Sequence, residues 1–182
     1  DLGIRSGIQT LIRPSEYATD EAPIDLALRH AVRNFESSNQ TIDIIVVLYG
    51  NVPIRKPGII DQVVKELRST GADSVETYAP YIKPPQRAYK IDSGIPIPLT
   101  GVHVESYRRQ DLEPLYYPDG AVLAIKRDVL MATEGTPGET GRFIGTDRRA
   151  VVQSPEDTVD VDELVDLLWA EFLISREEKK FS

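Results

Sequence analysis

Two aspartates, Asp160 and Asp162, stand one residue apart in the stretch Thr158-Val159-Asp160-Val161-Asp162. If that stretch is extended, alternate side chains point to one side and the two carboxylates face the same way. Such a pair suits Mg2+, which takes one or two carboxylates and completes its shell with waters and substrate phosphate oxygens. The same residues have a plainer reading, in which Asp162 and Glu163 cap the helix that follows and complement its dipole. Three basic groups, Arg108 with Arg109, Arg148 with Arg149 and Lys83 with Arg87, are compact enough to hold a phosphate or carboxylate, although basic pairs are also common on solvated surface. Other chemistries have little to work with. The absence of cysteine removes disulfides, thiolate nucleophiles and thiolate metal sites. His30 and His103 are the only imidazoles, and His30 falls within a helical pattern, so a zinc site or a histidine-based triad lacks parts. A net charge of -8 argues against a general nucleic-acid or anionic-membrane binder, which needs a broad basic face.

The elements that must position these residues alternate between apolar strands and amphipathic helices, the pattern of an α/β layer fold in one domain over residues 1–182. From Glu21 to Phe35, Ile24, Leu28, Ala31, Val32 and Phe35 recur at helical spacing, with Asp20 as the expected N-cap and Pro23 in the first turn. Ile42 to Leu48 reads as a strand buried on both faces, and Tyr49-Gly50-Asn51-Val52-Pro53 as the loop at its C-terminal end. Loops in that place are where open α/β sheets hold ligands. A second helix begins near Pro57, turns Ile59, Ile60, Val63, Val64 and Leu67 inward, and stops at Gly71. Ser74 to Tyr78 and Ala121 to Ile125 are strands, Arg127 to Met131 is a short helix, and a further short strand is expected around Val151. The closing helix is expected to turn Leu164, Val165, Leu168 and Phe172 inward. Between Pro80 and Pro118 periodicity breaks down over a span too long for a simple connection, and Glu134 to Gly145 is a Gly/Thr-rich loop expected to be flexible. No apolar run approaches the roughly 20 residues of a membrane span, and without a visible leader the chain reads as cytoplasmic.

Several segments, in order along the chain, resemble the acylneuraminate cytidylyltransferases. Arg13-Pro14-Ser15-Glu16-Tyr17-Ala18-Thr19-Asp20 is similar to that family's R-P-x-E-L-A-x-D segment, and His30-Ala31-Val32 to the end of the helix after it. Arg108-Arg109-Gln110-Asp111-Leu112 through Tyr117-Pro118-Asp119-Gly120-Ala121-Val122 looks like R-Q-x-L-P followed by P-N-G-A-I-Y, the most specific match. Val159-Asp160-Val161-Asp162-Glu163-Leu164 through Ala170-Glu171 is similar to the D-I-D terminus. The resemblance implies a three-layer nucleotide-diphospho-sugar transferase-like fold with a mostly parallel mixed sheet. It also implies a reaction in which CMP from CTP is joined to an acidic, sialic-acid-like 2-keto sugar with release of pyrophosphate. Asp160 and Asp162 would then hold Mg2+ on the triphosphate, Arg13 and the backbone near Ala22 would contact cytosine, and Arg109 would meet the sugar acid. Gln86 or Arg87 stands where the family carries a sugar-binding lysine. Residues 80–118 correspond to its dimerisation and sugar-binding arm, so a homodimer is expected.

The departures bear on substrate. The loop Q-P-T-S-P-L-R is here Tyr49-Gly50-Asn51-Val52-Pro53-Ile54-Arg55, so Tyr49 stands for a sugar-binding glutamine. The loop is also similar to the G-D-E-P loop of the CMP-KDO synthetases, with Asn51 in place of a metal-binding aspartate. Asp119 replaces an asparagine beside Gly120 and could repel an acidic sugar unless it meets a hydroxyl or an arginine. The family's N-terminal strand and triphosphate loop are not in these 182 residues, and a strand is expected at about Gln9 to Ile12, so the sequence reads as a fragment of an enzyme or as a degenerate, inactive relative. A KDO-type or other sugar nucleotidyltransferase is the alternative within enzymes.

Overall fold

The computed structural model describes residues 2–19, 21–101, 108–134 and 142–178, with backbone alone at 2, 109, 177 and 178. A four-stranded sheet in the order β1-β6-β3-β7 forms its centre, built from β1 (Ile44–Val47), β6 (Tyr116–Lys126), β3 (Ser74–Pro80) and β7 (Arg148–Val152). β6 pairs antiparallel with both β1 and β3, while β3 and β7 pair in parallel. Three of the four strands therefore run one way, as expected for this mixed sheet, and the reversed β6 between them leaves β3–β7 as the directly parallel pair. Helix α3 (Ile59–Thr70) covers one face, where Ile59, Val63 and Leu67 pack with Val52, Val75, Val122 and Ala124. Gly71 ends it in the left-handed conformation at φ 67°, which lets its N–H return to the Leu67 carbonyl. Helices α2 (Ile24–Glu36) and α4 (Arg127–Ala132) lie on the other face, with Val32 and Leu130 against Val47, Leu123 and Ile125.

Several expectations change for identifiable reasons. β1 is shorter than foreseen, and of its residues only Val47 is fully buried, because it has one sheet neighbour, β6. Within α2, Ala31 and Phe35 face solvent and the buried positions are Arg29 and Val32. Arg29 can be buried because its guanidinium donates to the Leu130 carbonyl of α4 and to the hydroxyl of Thr133 at the end of that helix, and pairs with Asp25 one turn earlier. α2 starts at Ile24 with Pro23 at the N-cap, and the proposed cap Asp20 lies outside the described residues. Ile60 on α3 is also exposed. No strand forms at residues 9–12; a four-residue helix, α1 (Leu2–Arg5), precedes this stretch, and Ile8, Leu11 and Ile12 are exposed. The closing helix α5 (Leu164–Glu178) leaves Leu164, Val165, Leu168 and Phe172 exposed and buries Ala170. These apolar side chains find no cover among the described residues. The long 80–118 segment carries a two-stranded ribbon, β4 (Tyr89–Asp92) with β5 (Ile95–Pro98), whose register closes a tight turn through Ser93 and Gly94.

Candidate functional site

The site begins with a short pairing that the sequence alone does not announce. β2 (Ile54–Arg55) and β8 (Thr158–Val159) form a two-residue antiparallel ladder, with Ile54 opposite Val159 and Arg55 opposite Thr158. Because the 49–53 loop precedes β2 and Asp160 follows β8, this ladder lays the loop against the aspartates. The Val161 N–H then donates to the Asn51 carbonyl at 2.9 Å. The Asn51 side-chain amide donates to Asp160 Oδ1 at 2.7 Å and to Asp162 Oδ1 at 3.4 Å. Both carboxylates thus converge on one donor group, as the alternating spacing predicts. Asp166 on α5 accepts the Asp162 and Glu163 N–H groups at 3.2 and 2.8 Å. Capping therefore falls to Asp166, and the Asp160 and Asp162 side chains are left facing the loop.

The third wall comes from a bulge in β6. The register of β3 against β6 shifts between Glu76 and Tyr78, where β6 carries extra residues. Thr77 holds this bulge: its hydroxyl donates to Asp119 Oδ1 at 2.5 Å and accepts from the Val122 N–H at 3.0 Å. Asp119 Oδ1 also accepts the Ala121 N–H, and its Oδ2 accepts the Gln153 amide at 2.6 Å. Gly120, in the left-handed region at φ 71°, is thereby brought to the aspartates; a Cβ there would lie 3.4 Å from Val52, 3.8 Å from Tyr49 and 3.9 Å from Asp160 Oδ2. Tyr49 stands half-buried beside Gly120, its phenol pushed above the usual range by burial and then by Glu76. Tyr117 is raised likewise, by burial first and then by Asp119, Tyr81 and Asp160. Burial also raises the Asp160 carboxyl, with the charges of Asp162 and Asp166 adding to it. Negative charge accumulates here, and a cation would relieve it.

Asn51, Tyr49, Gly120, Asp160 and Asp162 are therefore one cluster, and Asp119 is not part of its lining. At 2% exposure, with both carboxylate oxygens bonded to Thr77, Ala121 and Gln153, Asp119 is a strut beneath the site, and the Thr77 hydroxyl is the contact under which no repulsion of a substrate is expected. Gln86 is fastened to the arm, its amide donating to the Glu113 carbonyl at 2.8 Å. Arg87 sits at the exposed end of the same 3-10 turn. Arg13 is exposed, and the Ala22 N–H closes a turn onto Thr19; none of the described hydrogen bonds joins either residue to the aspartate cluster. Arg109 opens a 3-10 turn, and its side chain lies outside the described residues, as do His103 and residues 135–141 of the Gly/Thr-rich loop. Arg148 is engaged by Glu76 and the Tyr78 hydroxyl, and Arg149 by Asp147. Sequence reasoning assigned no role to Thr77, Gln153, Asp166 or Arg55. Only Arg55 had a signal, its place at the end of the loop motif.

A hard cation fits this donor set. The Asn51 amide nitrogen, a hydrogen-bond donor, lies where a cation between the two carboxylates would lie, so a cation would take its place and the two carboxylates would leave coordination positions for phosphate oxygens. Among the described residues there is no cluster of three or more His, Cys, Asp or Glu side chains able to hold a metal without such help. No helix among them is long and apolar enough to cross a membrane.

No family model matches the chain. In sequence it is similar to the N-acylneuraminate cytidylyltransferases of Streptococcus agalactiae serotype V (strain ATCC BAA-611 / 2603 V/R) and serotype III (strain NEM316). Each is 26% identical over 163 residues, covering 89% of this chain and 37% of the relative. The chain thus spans 37% of the length of the curated relatives it matches. In structure it is similar to CMP:2-keto-3-deoxy-manno-octonic acid synthetase complexed with CTP, at TM-score 0.64 and 14% identity over 96% of this chain and 75% of that one. It is also similar to a protein assigned as a glucose-1-phosphate thymidylyltransferase from Bacillus anthracis in complex with sucrose, at TM-score 0.57 and 18% identity over 94% and 67%. Identities this low speak for the fold, which is the α/β fold of the sugar nucleotidyltransferases.

Proposed function

We propose, from the resemblance to N-acylneuraminate cytidylyltransferases over most of the chain, that this protein carries the metal side of a CTP-dependent cytidylyltransferase acting on an acidic 2-keto sugar. The observation that carries the reading is the convergence of Asp160 and Asp162 on the Asn51 amide beside Gly120. In the reaction the anomeric hydroxyl oxygen of the sugar attacks the α-phosphorus of CTP. The new O–P bond forms as the bond from the α-phosphorus to the bridging oxygen breaks, pyrophosphate leaves with the electron pair, and the hydroxyl proton is released. Such an in-line displacement asks for positioning and charge neutralisation and needs no covalent nucleophile, which matches a chain without cysteine.

Asp160 and Asp162 would hold Mg2+, which when bound neutralises charge developing on the phosphates. Asn51 keeps the two carboxylates aimed at one point, and Gly120 leaves room for phosphate oxygens that a Cβ would take. Tyr49 and Tyr117 wall the site with half-buried rings, suited to a sugar face. Arg109 remains the proposed partner of the sugar carboxylate, with Arg13 and Ala22 at cytosine and Gln86 or Arg87 near the sugar. We further propose a cytoplasmic homodimer, supported by the β4–β5 ribbon, whose strands are exposed along nearly their whole length.

The test is release of pyrophosphate from CTP with Mg2+ and a panel of acidic keto sugars that includes sialic acids and KDO. Asp160→Asn and Asp162→Asn are each expected to lower kcat/KM by about 100-fold or more, equivalent to losing about 3 kcal/mol of transition-state stabilisation. Absence of pyrophosphate release across the panel would refute the reading.

A further inference from the structure

The aspartate pair is held through the 49–53 loop, and one side chain holds that loop. Arg55 turns its guanidinium back along its own chain. Its Nη2 donates to the Tyr49 carbonyl at 2.6 Å and its Nη1 to the Val52 carbonyl at 2.6 Å. Its Nε donates across to the Ala121 carbonyl of β6 at 2.7 Å. Three nitrogens of one planar fork are thus spent on three main-chain carbonyls, from the two segments that flank the site. No carboxylate among the described residues forms an ion pair with it. A half-buried cation given up entirely to carbonyl oxygens is an expensive arrangement for loop closure alone, since a neutral side chain or a shorter turn would avoid its desolvation. Its position explains the choice. The carbonyls it binds bracket Asn51, whose amide and carbonyl hold Asp160, Asp162 and the Val161 N–H, and they adjoin Gly120.

We infer that Arg55 is a positioning residue for the metal site: its guanidinium fixes the spacing between the Asn51 loop and the Gly120–Ala121 bulge, and through Asn51 the aim of both aspartates. The inference rests on the proposed cytidylyltransferase reading for its catalytic consequence and on the hydrogen bonds alone for its structural one. Lysine cannot replace this geometry, because an ammonium on a flexible stem reaches one or two of the three carbonyls and does not span the two segments in a plane. Glutamine keeps a donor and loses both charge and reach.

The experiment compares the protein with Arg55→Lys and Arg55→Gln by amide hydrogen exchange in NMR and by pyrophosphate release as a function of Mg2+. The expected result is local. The Val161 amide, bonded to Asn51, exchanges at least about 10-fold faster in both variants, while amides of the central sheet such as those of Leu123 and Ile125 keep their protection. The Mg2+ concentration for half-maximal activity rises about 5-fold or more in Arg55→Lys, with a smaller change in the KM for the sugar. Unchanged exchange at Val161 would overturn the inference. So would faster exchange spread equally over the sheet, because that is a general loss of stability. If the wild-type protein releases no pyrophosphate while the exchange pattern is local as described, the cytidylyltransferase reading fails and the hold of Arg55 on the loop stands.

Discussion

Asp119 shows how a residue next to a site can be mistaken for part of it. In sequence it stands in the motif that meets the aspartate pair, yet its carboxylate points down and gathers the Thr77 hydroxyl, the Ala121 N–H and the Gln153 amide. An asparagine can do nearly the same. Its Oδ1 keeps the Thr77 and Ala121 bonds, and its amide meets the Gln153 Oε1 once that side chain flips, an oxygen that is otherwise buried without a partner. Asp119→Asn is therefore expected to change stability by no more than about 1 kcal/mol, whereas Asp119→Ala strands three buried donors and costs about 3 kcal/mol, measured by urea unfolding. Glu76, a partly buried carboxylate, also responds to its environment. Burial raises it above its ordinary value of 4.5, and the Arg148 charge and the Tyr78 and Arg148 hydrogen bonds only partly oppose this. A folded value above the unfolded one means the group favours folding when protonated; that contribution is complete below about pH 4.5 and is lost as pH rises through the folded value. Glu76→Gln removes the loss. Its melting temperature relative to wild type should rise between pH 4 and pH 7, and a difference independent of pH would contradict this account.

At the scale of elements, the site depends on two short irregularities. One is the two-residue ladder between β2 and β8, which brings residues about a hundred positions apart into contact. The other is the β6 bulge, which pushes Gly120 toward Asp160 and which Thr77 fastens from the neighbouring strand. Gly120→Ala tests the bulge. The left-handed φ of 71° makes any side chain there strained by about 1–3 kcal/mol, although the new methyl would meet Val52 at an ordinary 3.4 Å. The same methyl occupies space 3.9 Å from Asp160 Oδ2. Activity is thus expected to fall by about 10-fold or more while the protein remains folded, which steady-state kinetics alongside a thermal melt will separate.

On the scale of the whole molecule, the apolar side chains left exposed are informative. On the β4–β5 ribbon the register puts Tyr89 and Ile91 on one face and Ile95 and Ile97 on the other, with Ile91 and Ile95 69% and 63% exposed. Apolar side chains exposed on both faces of a two-stranded ribbon suit contact with another chain. The proposed homodimer predicts sedimentation at twice the chain mass, and Ile91→Lys with Ile95→Lys is expected to yield a monomer whose central sheet keeps its exchange protection. A wild-type protein that sediments as a monomer at all concentrations would remove the dimer. The α5 helix presents a second apolar surface through Leu164, Val165, Leu168 and Phe172.

What the sequence by itself determined is local. Periodicity placed α3, β1 and β3 to within a few residues, because burial on one face imposes a repeat of 3.6 or 2 residues that side chains record directly, but it found only the second half of β6, which begins at Tyr116 before its bulge. The glycine at position 71 announced the helix stop, and the one-residue spacing of Asp160 and Asp162 announced that their carboxylates would share a side. Tertiary structure alone decided which of several polar residues would line the site. Asp119 and Asn51 are both short polar residues in loop-like sequence, and only the strand pairings turn one beneath the sheet and the other onto the aspartates. The same holds for the inward face assigned to α5, since an apolar stripe states that a helix should be covered without stating what is there to cover it. Long-range pairing is fixed by contacts between residues far apart in the chain, and no local spacing encodes it.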